Sequence, residues 1–266
     1  MAPNAEAYLR RVDRELRSLE LRLQQLIRGT ALQALAQLRD LLSSLPSDGL
    51  SRRLAYRQLR PRLETALIPL NDTLASLLSL ELHRFTTRAR ELAAQFAGIT
   101  PADPVPLPAE VMARTRFLGR TLAAYFERHS PSQFMREILR LADRTVEKAI
   151  LDGTPTPDLL PLVLPEATRK GRRIPVVRRG SIAYTALARI NALITTSIWN
   201  VYSAESRQIW NRLPNLVAWE WVAILDPKTC PICRPLDGRR EQSLESFEVL
   251  PQVHPHCRCV VIPIRE

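Results

Sequence analysis

The chain has 266 residues, with 38 Lys plus Arg against 27 Asp plus Glu, a formal net charge of +11 and a pI near 10.3. Hydrophobic residues make up 45% of it, enough to build a core, so a globally disordered chain is excluded. Lys occurs only at positions 148, 170 and 228, leaving 35 Arg, the residue better suited to bidentate phosphate or carboxylate contacts, although a GC-rich genome produces the same bias. Residues 1–11 hold no apolar run of the signal-peptide kind, and Arg10 and Arg11 interrupt the stretch early, so secretion by that route is not expected. The uncharged stretch 190–204 falls short of the roughly 20 apolar residues of a spanning helix and contains Asn191, Thr195, Thr196 and Asn200, so no membrane segment is expected.

From the start, apolar residues recur at Leu9, Val12, Leu16, Leu19, Leu23 and Leu26 in alternating steps of three and four, a heptad seam. The phase shifts near Gly29 and Thr30 and resumes through Leu35, Leu38, Leu42 and Leu45, before Pro46, Asp48 and Gly49 supply a break. One long helix with a stutter, or two helices, fit this pattern. A second stripe runs Leu59, Leu63, Leu67, Leu70, Leu74 and Leu77, then Leu82, Phe85, Ala89, Leu92 and Phe96, with Pro69 expected to kink or divide it. Pro101, Pro104, Pro106 and Pro108 read as an extended linker, followed by helix over residues 110–128. Ser130-Pro131 predicts an N-cap for a helix through Phe134, Ile138, Leu141 and Ala149, ended by Asp152-Gly153. Pro155, Pro157, Pro161 and Pro165 predict a second irregular stretch, and a helical pattern follows from Ser181 through Leu187, Ile190, Ile194, Ile198 and Tyr202. Only the end of the chain reads as sheet, in residues 219–225 and 259–262, which are rich in aromatic and β-branched side chains. Glu241, Glu245 and Glu248 have the spacing of a solvated helical face. Trp199, Trp210, Trp219 and Trp221 are expected to pack a core, and His83 and His129 show no partner pattern.

Charge is local. Residues 1–100 carry +5 and residues 161–220 carry +6, while 101–160 and 221–266 are neutral. Arg169, Lys170, Arg172, Arg173, Arg178 and Arg179 lie within 11 residues without an acid, and Gly171, Pro175 and Gly180 suggest a flexible loop around them. Such a group neutralises several phosphates, with steep salt dependence, or faces an acidic protein surface. The sequence carries no base-reading motif, so nucleic-acid contact would be independent of sequence.

All four cysteines fall near the end of the chain. Cys230-Pro231-Ile232-Cys233 and His254-Pro255-His256-Cys257-Arg258-Cys259 are separated by 20 residues and hold six soft or borderline ligands. A C-x-x-C turn presents two thiolates to one ion about 2.3 Å away, and a distant pair completes a tetrahedron, so a structural zinc clamp is the favoured chemistry. Two disulfides, a redox C-x-x-C and a Cys/His nucleophile are the competing readings, and the last two lack a βαβ context and an orienting acid respectively. Asp226 and Asp237 flank the cysteines; Asp237-Gly238 reads as a turn.

Trp221, Asp226, Thr229 with the first Cys pair, Leu236-Asp237-Gly238, Pro251, the His254–Cys259 element and Pro263 together resemble the C-terminal signature of the phage Mu F-like head morphogenesis family. The resemblance is carried by residues 219–264, with the helix over 181–207 as the preceding family helix. On it, Cys230, Cys233, His254, Cys257 and Cys259 carry over as metal-ligand candidates, five for four places, and His256 stands at the variable position. Family members commonly have an Arg-Thr-Glu segment on the preceding helix; here Thr195-Thr196-Ser197 occupies roughly that region.

These readings give a mainly α protein with a small α+β C-terminal domain. Residues 1–100 are expected as a helical or coiled-coil region, 101–165 as Pro-rich linkers with helices, and 166–266 as the Mu F-like domain. The resemblance implies a non-enzymatic minor head protein of a tailed phage, in several copies at the portal, acting in assembly and DNA packaging or delivery. Its partners would be the portal and other head proteins, and it would be found in the host cytoplasm during assembly and then in the virion. A metal-dependent nuclease or toxin-like enzyme with a zinc knuckle is the alternative, although it would need a second His, Asp and Asn cluster around an open divalent site.

Overall fold

The computed structural model describes residues 5–100, 116–117, 120–121, 131–169, 171–254 and 256–266. The expected proline linker, Ser130, His129 and Lys170 lie outside these residues; of the helix expected over 110–128 only 116–117 and 120–121 are described, and they pair as antiparallel strands, because their backbone bonds run across the pair rather than along a helix. Two long helices open the chain, α1 (Ala5–Ser43) and α2 (Gly49–Ala97). A two-residue pair, β1 (Arg116–Phe117) with β2 (Arg120–Thr121), precedes α3 (Pro131–Leu151) and α4 (Thr156–Val163). After these come the hairpin β3 (Glu166–Arg169) and β4 (Arg172–Pro175), the helix α5 (Ile182–Trp210), and the strands β5 (Leu216–Val222), β6 (Arg240–Glu241) and β7 (Val260–Arg265).

Leu-, Arg- and Glu-rich sequence makes α1 a single helix, and its core side follows the heptad seam through Leu9, Val12, Leu16 and Leu23. The stutter comes before Gly29 and Thr30, directly after Leu23. Ile27 and Ala31 are fully buried, whereas Leu26 is half exposed, because steps of four replace the alternation of three and four there. Asp40 and Leu41 give their carbonyls to the hydroxyls of Ser43 and Ser44 at 2.6 and 2.7 Å, ending the helix, and Asp48 accepts the Ser51 N–H at 2.9 Å to start the next.

Pro69 does not divide α2, which runs unbroken through Pro61 and Pro69. Each proline costs about 3 kcal/mol in a helix interior. Leu63, Leu67, Leu70 and Leu74 are fully buried along the same stretch, and each contributes roughly 1.5–3 kcal/mol, which outweighs that cost. Gly98, at φ 67°, closes the helix with the Ile99 N–H on the Ala94 carbonyl at 3.0 Å.

The chain forms two compact units, and each of α1, α2 and α5 contributes to both. One unit comprises Leu23–Leu77 and Arg128–Asn191. Within it α2 and α3 run antiparallel: a Cβ on Gly49 would lie 3.7 Å from Ile150, and Tyr56 and Arg60 both reach Asp143. Fully buried Arg52 donates to the carbonyls of Pro46, Ser47 and Thr154 at 2.8, 2.6 and 2.6 Å, fastening the α1–α2 turn to the α3–α4 turn. The stretch expected to be irregular forms α4, since Pro157 falls in its first turn, where a missing N–H costs nothing. The basic loop is likewise a hairpin, with Thr168 opposite Arg173 and Arg169 opposite Arg172 across a turn at Gly171 (φ 73°).

The other unit comprises Met1–Arg22, Leu78–Glu127 and Ala192–Glu266. Here the start of α1 lies antiparallel to the end of α2, with Tyr8 donating to the Leu92 carbonyl at 3.1 Å and Arg88 to Glu15 at 2.7 Å. Tyr8, Phe96 and Trp210 stack with centroids 4.3 and 5.4 Å apart along that chain of rings, and Trp210 donates to the Ala93 carbonyl at 2.8 Å. All four tryptophans are core residues, each no more than 2% exposed. The sheet has the order β6-β5-β7, all antiparallel, with Trp219 opposite Pro263 and Val222 opposite Val260. No helix forms over Glu241, Glu245 and Glu248. Glu241 pairs with Trp219 in the sheet and Glu245 sits in a single tight turn, because the segment is held to β5 by backbone bonds.

Candidate metal centre

Strand pairing brings the two Cys/His segments together. The ladder between β5 and β7 ends at Val222 and Val260, so the chain leaving β5 toward Cys230 and the chain entering β7 from Cys257 and Cys259 emerge at the same end. Cys230 Sγ lies 2.9 Å from His254 Nε2, Cys233 Sγ lies 3.2 Å from the same nitrogen, and Cys233 Sγ is 3.7 Å from Cys257 Sγ. Two trios result, Cys230–Cys233–His254 and Cys233–Cys257–Cys259, each with its ligand atoms within 4.8 Å of one another. Cys233 belongs to both. Cys233, Cys257 and Cys259 are 1%, 1% and 3% exposed, while Cys230 and His254 reach the surface. All four sulfurs are free thiols.

The signature residues around the cysteines build the turns that hold them. Asp226 closes an Asx turn by accepting the Lys228 N–H at 2.8 Å, and its own N–H donates to Thr229 Oγ1 at 2.8 Å. The Thr229 hydroxyl in turn donates to the Ile224 carbonyl, which sets the direction of Cys230. In the knuckle itself the Cys233 N–H donates to Cys230 Sγ at 3.2 Å. Asp237 accepts the Ala223 N–H at 2.7 Å, and Gly238, at φ 79°, donates to the Trp221 carbonyl at 2.8 Å, returning the chain to the sheet. On the second segment Gln252 donates to the Cys259 carbonyl at 3.2 Å. His256 adopts φ 62°, and its N–H donates to Thr196 on α5 at 3.2 Å. The variable position of the motif is thus an exposed turn.

Arg258, between Cys257 and Cys259, joins the two segments. One guanidinium nitrogen donates to both Asp226 oxygens, at 2.7 and 2.8 Å, and another lies 3.6 Å from Asp13. Burial opposes the ionisation of Asp226, but the Arg258 guanidinium and the Lys228 N–H outweigh it and hold the carboxyl below its usual range. The cysteines divide the charge. Hydrogen bonds from the Cys233 and Cys259 thiols hold Cys257 far below the ordinary thiol range, and the same contacts push Cys233 and Cys259 up. Four thiols with an imidazole among them are a soft donor set that suits a d¹⁰ ion.

Five of the five metal candidates read from the sequence therefore converge. Of the basic group, Arg169, Arg172, Arg173, Arg178 and Arg179 lie on or beside the β3–β4 hairpin in the unit that holds it, all exposed and without an ion pair among the described residues. The sequence reading missed two residues. Glu205 on α5 is fully buried and ion-paired with Arg90 of α2. Apart from Arg189, it is the first charge in a helix of 29 residues that is otherwise uncharged up to that point, and that isolation was the available signal. Arg52 had no such signal, because it sits among other arginines at a helix start.

A helical protein with a small antiparallel sheet and a Cys/His knuckle defines the class. Residues 168–262 match the family model described as Phage Mu protein F like protein. The match begins at the basic hairpin and takes in α5 as well as the knuckle, reaching further toward the N-terminus than the residues that carried the resemblance. The family is one of phage head morphogenesis proteins. No curated protein and no solved structure matches the chain. Among the described residues no helix is long and apolar enough to cross a membrane.

Proposed function

We propose that the protein is a minor structural component of a tailed-phage head, present in several copies near the portal during assembly and DNA packaging or delivery. The observation that carries this reading is the convergence of Cys230, Cys233, His254, Cys257 and Cys259 within the segment that matches the Mu F-like family. Residues 166–266 would act as the family module, clamped by one structural zinc. Its ligands are Cys230, Cys233, His254 and Cys257. Cys257 is preferred to Cys259 because it interacts with His254 as well as Cys233, whereas Cys259 groups only with its two neighbouring thiols. Zinc would supply folding energy rather than chemistry, since a knuckle with this little core of its own depends on metal.

The β3–β4 ribbon would face packaged DNA. Arg169 and Arg172 share one face of it and Arg173 the other, so phosphates on either side can be met, with contacts independent of sequence. Co-sedimentation with the cognate portal and with procapsids tests the assembly role. The reading requires protein to pellet with portal-containing particles and to stay in solution with portal-less ones. Nicking of plasmid in Mg²⁺ or Mn²⁺, with no particle association, would carry the nuclease reading instead.

A further inference from the structure

Three exposed large apolar side chains lie on the adjoining ends of α2 and α3. Leu151 is 79% exposed, Leu50 74% and Leu54 54%. Leu50 and Leu54 sit on the first turns of α2 and Leu151 ends α3, and these helix ends touch where Gly49 meets Ile150. Leu151 is in the lining of a groove of about 630 Å³ together with Tyr56, Val146 and Ile150, and Leu50 and Leu54 lie outside that lining, on the same turns of α2 as Arg53 and Arg57. The groove's α2 wall carries Arg53, Arg57 and Arg60, and its α3 wall Asp143, Glu147 and Leu151.

The groove is preformed. Tyr56 donates to Asp143 at 2.7 Å, Arg60 donates to Asp143 at 3.1 Å and pairs with Glu64, and buried Arg52 pins the turn beneath it. Those bonds answer the charges of Asp143 and Arg60. Arg53 and Arg57, one helical turn apart, are exposed and have no ion pair among the described residues. Leu50, Leu54 and Leu151 beside two exposed arginines give this face the apolar and cationic character of an interface.

We propose that this groove docks an acidic amphipathic helix of another head protein. Its carboxylates, spaced i and i+4, would meet Arg53 and Arg57, and its apolar stripe would cover Leu50, Leu54 and Leu151. A second copy of this chain is a poor occupant, because a two-fold contact would set Arg53 and Arg57 against their own counterparts. Nucleic acid would leave the leucines uncovered and meet Glu147. The site is separate from the metal cluster and the basic ribbon, so its test does not depend on either.

The experiment uses the full chain and two fluorescent helical peptides of about 18 residues, one with Glu on its polar face and Leu on its apolar face, the other with Lys replacing Glu. Anisotropy should show the Glu peptide binding at least tenfold more tightly to wild type than to R53E/R57E or to L50S/L151S. The Lys peptide should bind R53E/R57E in preference to wild type. All four changes are on exposed side chains, and circular dichroism checks that the helices persist. Equal binding of the Glu peptide to all three proteins overturns the proposal. So does duplex DNA affinity that drops in R53E/R57E with no peptide preference, or a dimer in sedimentation equilibrium that L50S/L151S dissociates.

Discussion

The ion pair between Arg90 and Glu205 is the most heavily buried charge pair among the described residues, with side chains 6% and 0% exposed. Replacing Glu205 by Ala removes the carboxylate that Arg90 Nε donates to in the core. Breaking a buried pair from one side costs about 3–5 kcal/mol, far beyond the ~1 kcal/mol of an exposed pair. For a chain of this size each kcal/mol lowers the melting temperature by roughly 2–4 °C, so E205A should lower it by about 6–20 °C. The double replacement R90M/E205L removes both charges and fills the space with apolar atoms. It should recover most of the loss, because paired desolvation is then no longer required. Scanning calorimetry with urea titration by circular dichroism gives both numbers. An E205A change under about 1 kcal/mol, or a double variant as unstable as the sum of its singles, would refute the reasoning.

Three further outcomes follow from the same structure. C257S should lose zinc, while C259S, which removes the fifth candidate, should retain about one ion per chain by inductively coupled plasma mass spectrometry; the reverse result would exchange their roles. Burial raises the Glu205 carboxyl despite Arg90, so the folded state holds that proton more tightly than the unfolded state does. Its contribution to stability therefore increases as pH falls from the folded pKa toward the ordinary value of about 4.3 and diminishes as pH rises, and E205Q should remove that slope from calorimetric melts. Replacing Arg172, Arg173, Arg178 and Arg179 by Ala should lower the slope of log affinity against log salt for duplex DNA by up to about 3.6, at roughly 0.9 per phosphate contact, and an unchanged slope would take the ribbon out of DNA binding.

Periodicity made the long helices legible because α1 and α2 bury one stripe each, and a leucine every three or four residues has no other reading. What it could not settle was local. Pro69 reads as a break in isolation, yet the leucines packed around it hold the helix together, a tertiary effect that no window on the sequence contains. The β3–β4 hairpin was hidden for the opposite reason. Its strands are exposed and arginine-rich, so neither burial nor alternation marked them, and only the turn at Gly171 was visible. The cysteine cluster was the most legible part of the site because metal-ligand chemistry restricts spacing as well as residue type. The residues that orient it, Asp226, Thr229, Asp237 and Arg258, were visible as a motif, but their work as turn closures and as a tie between segments needed coordinates. Buried Arg52 and Glu205 depend entirely on partners distant in sequence.

The measurement that tests the central claim most directly is metal content by mass spectrometry on protein purified without a histidine tag, with thiols titrated before and after chelation. One zinc per chain, with thiols becoming reactive only when chelator removes it, is the predicted result. Absence of metal with four freely titrating thiols would contradict the clamp, and absence of both metal and free thiols would replace it with disulfides.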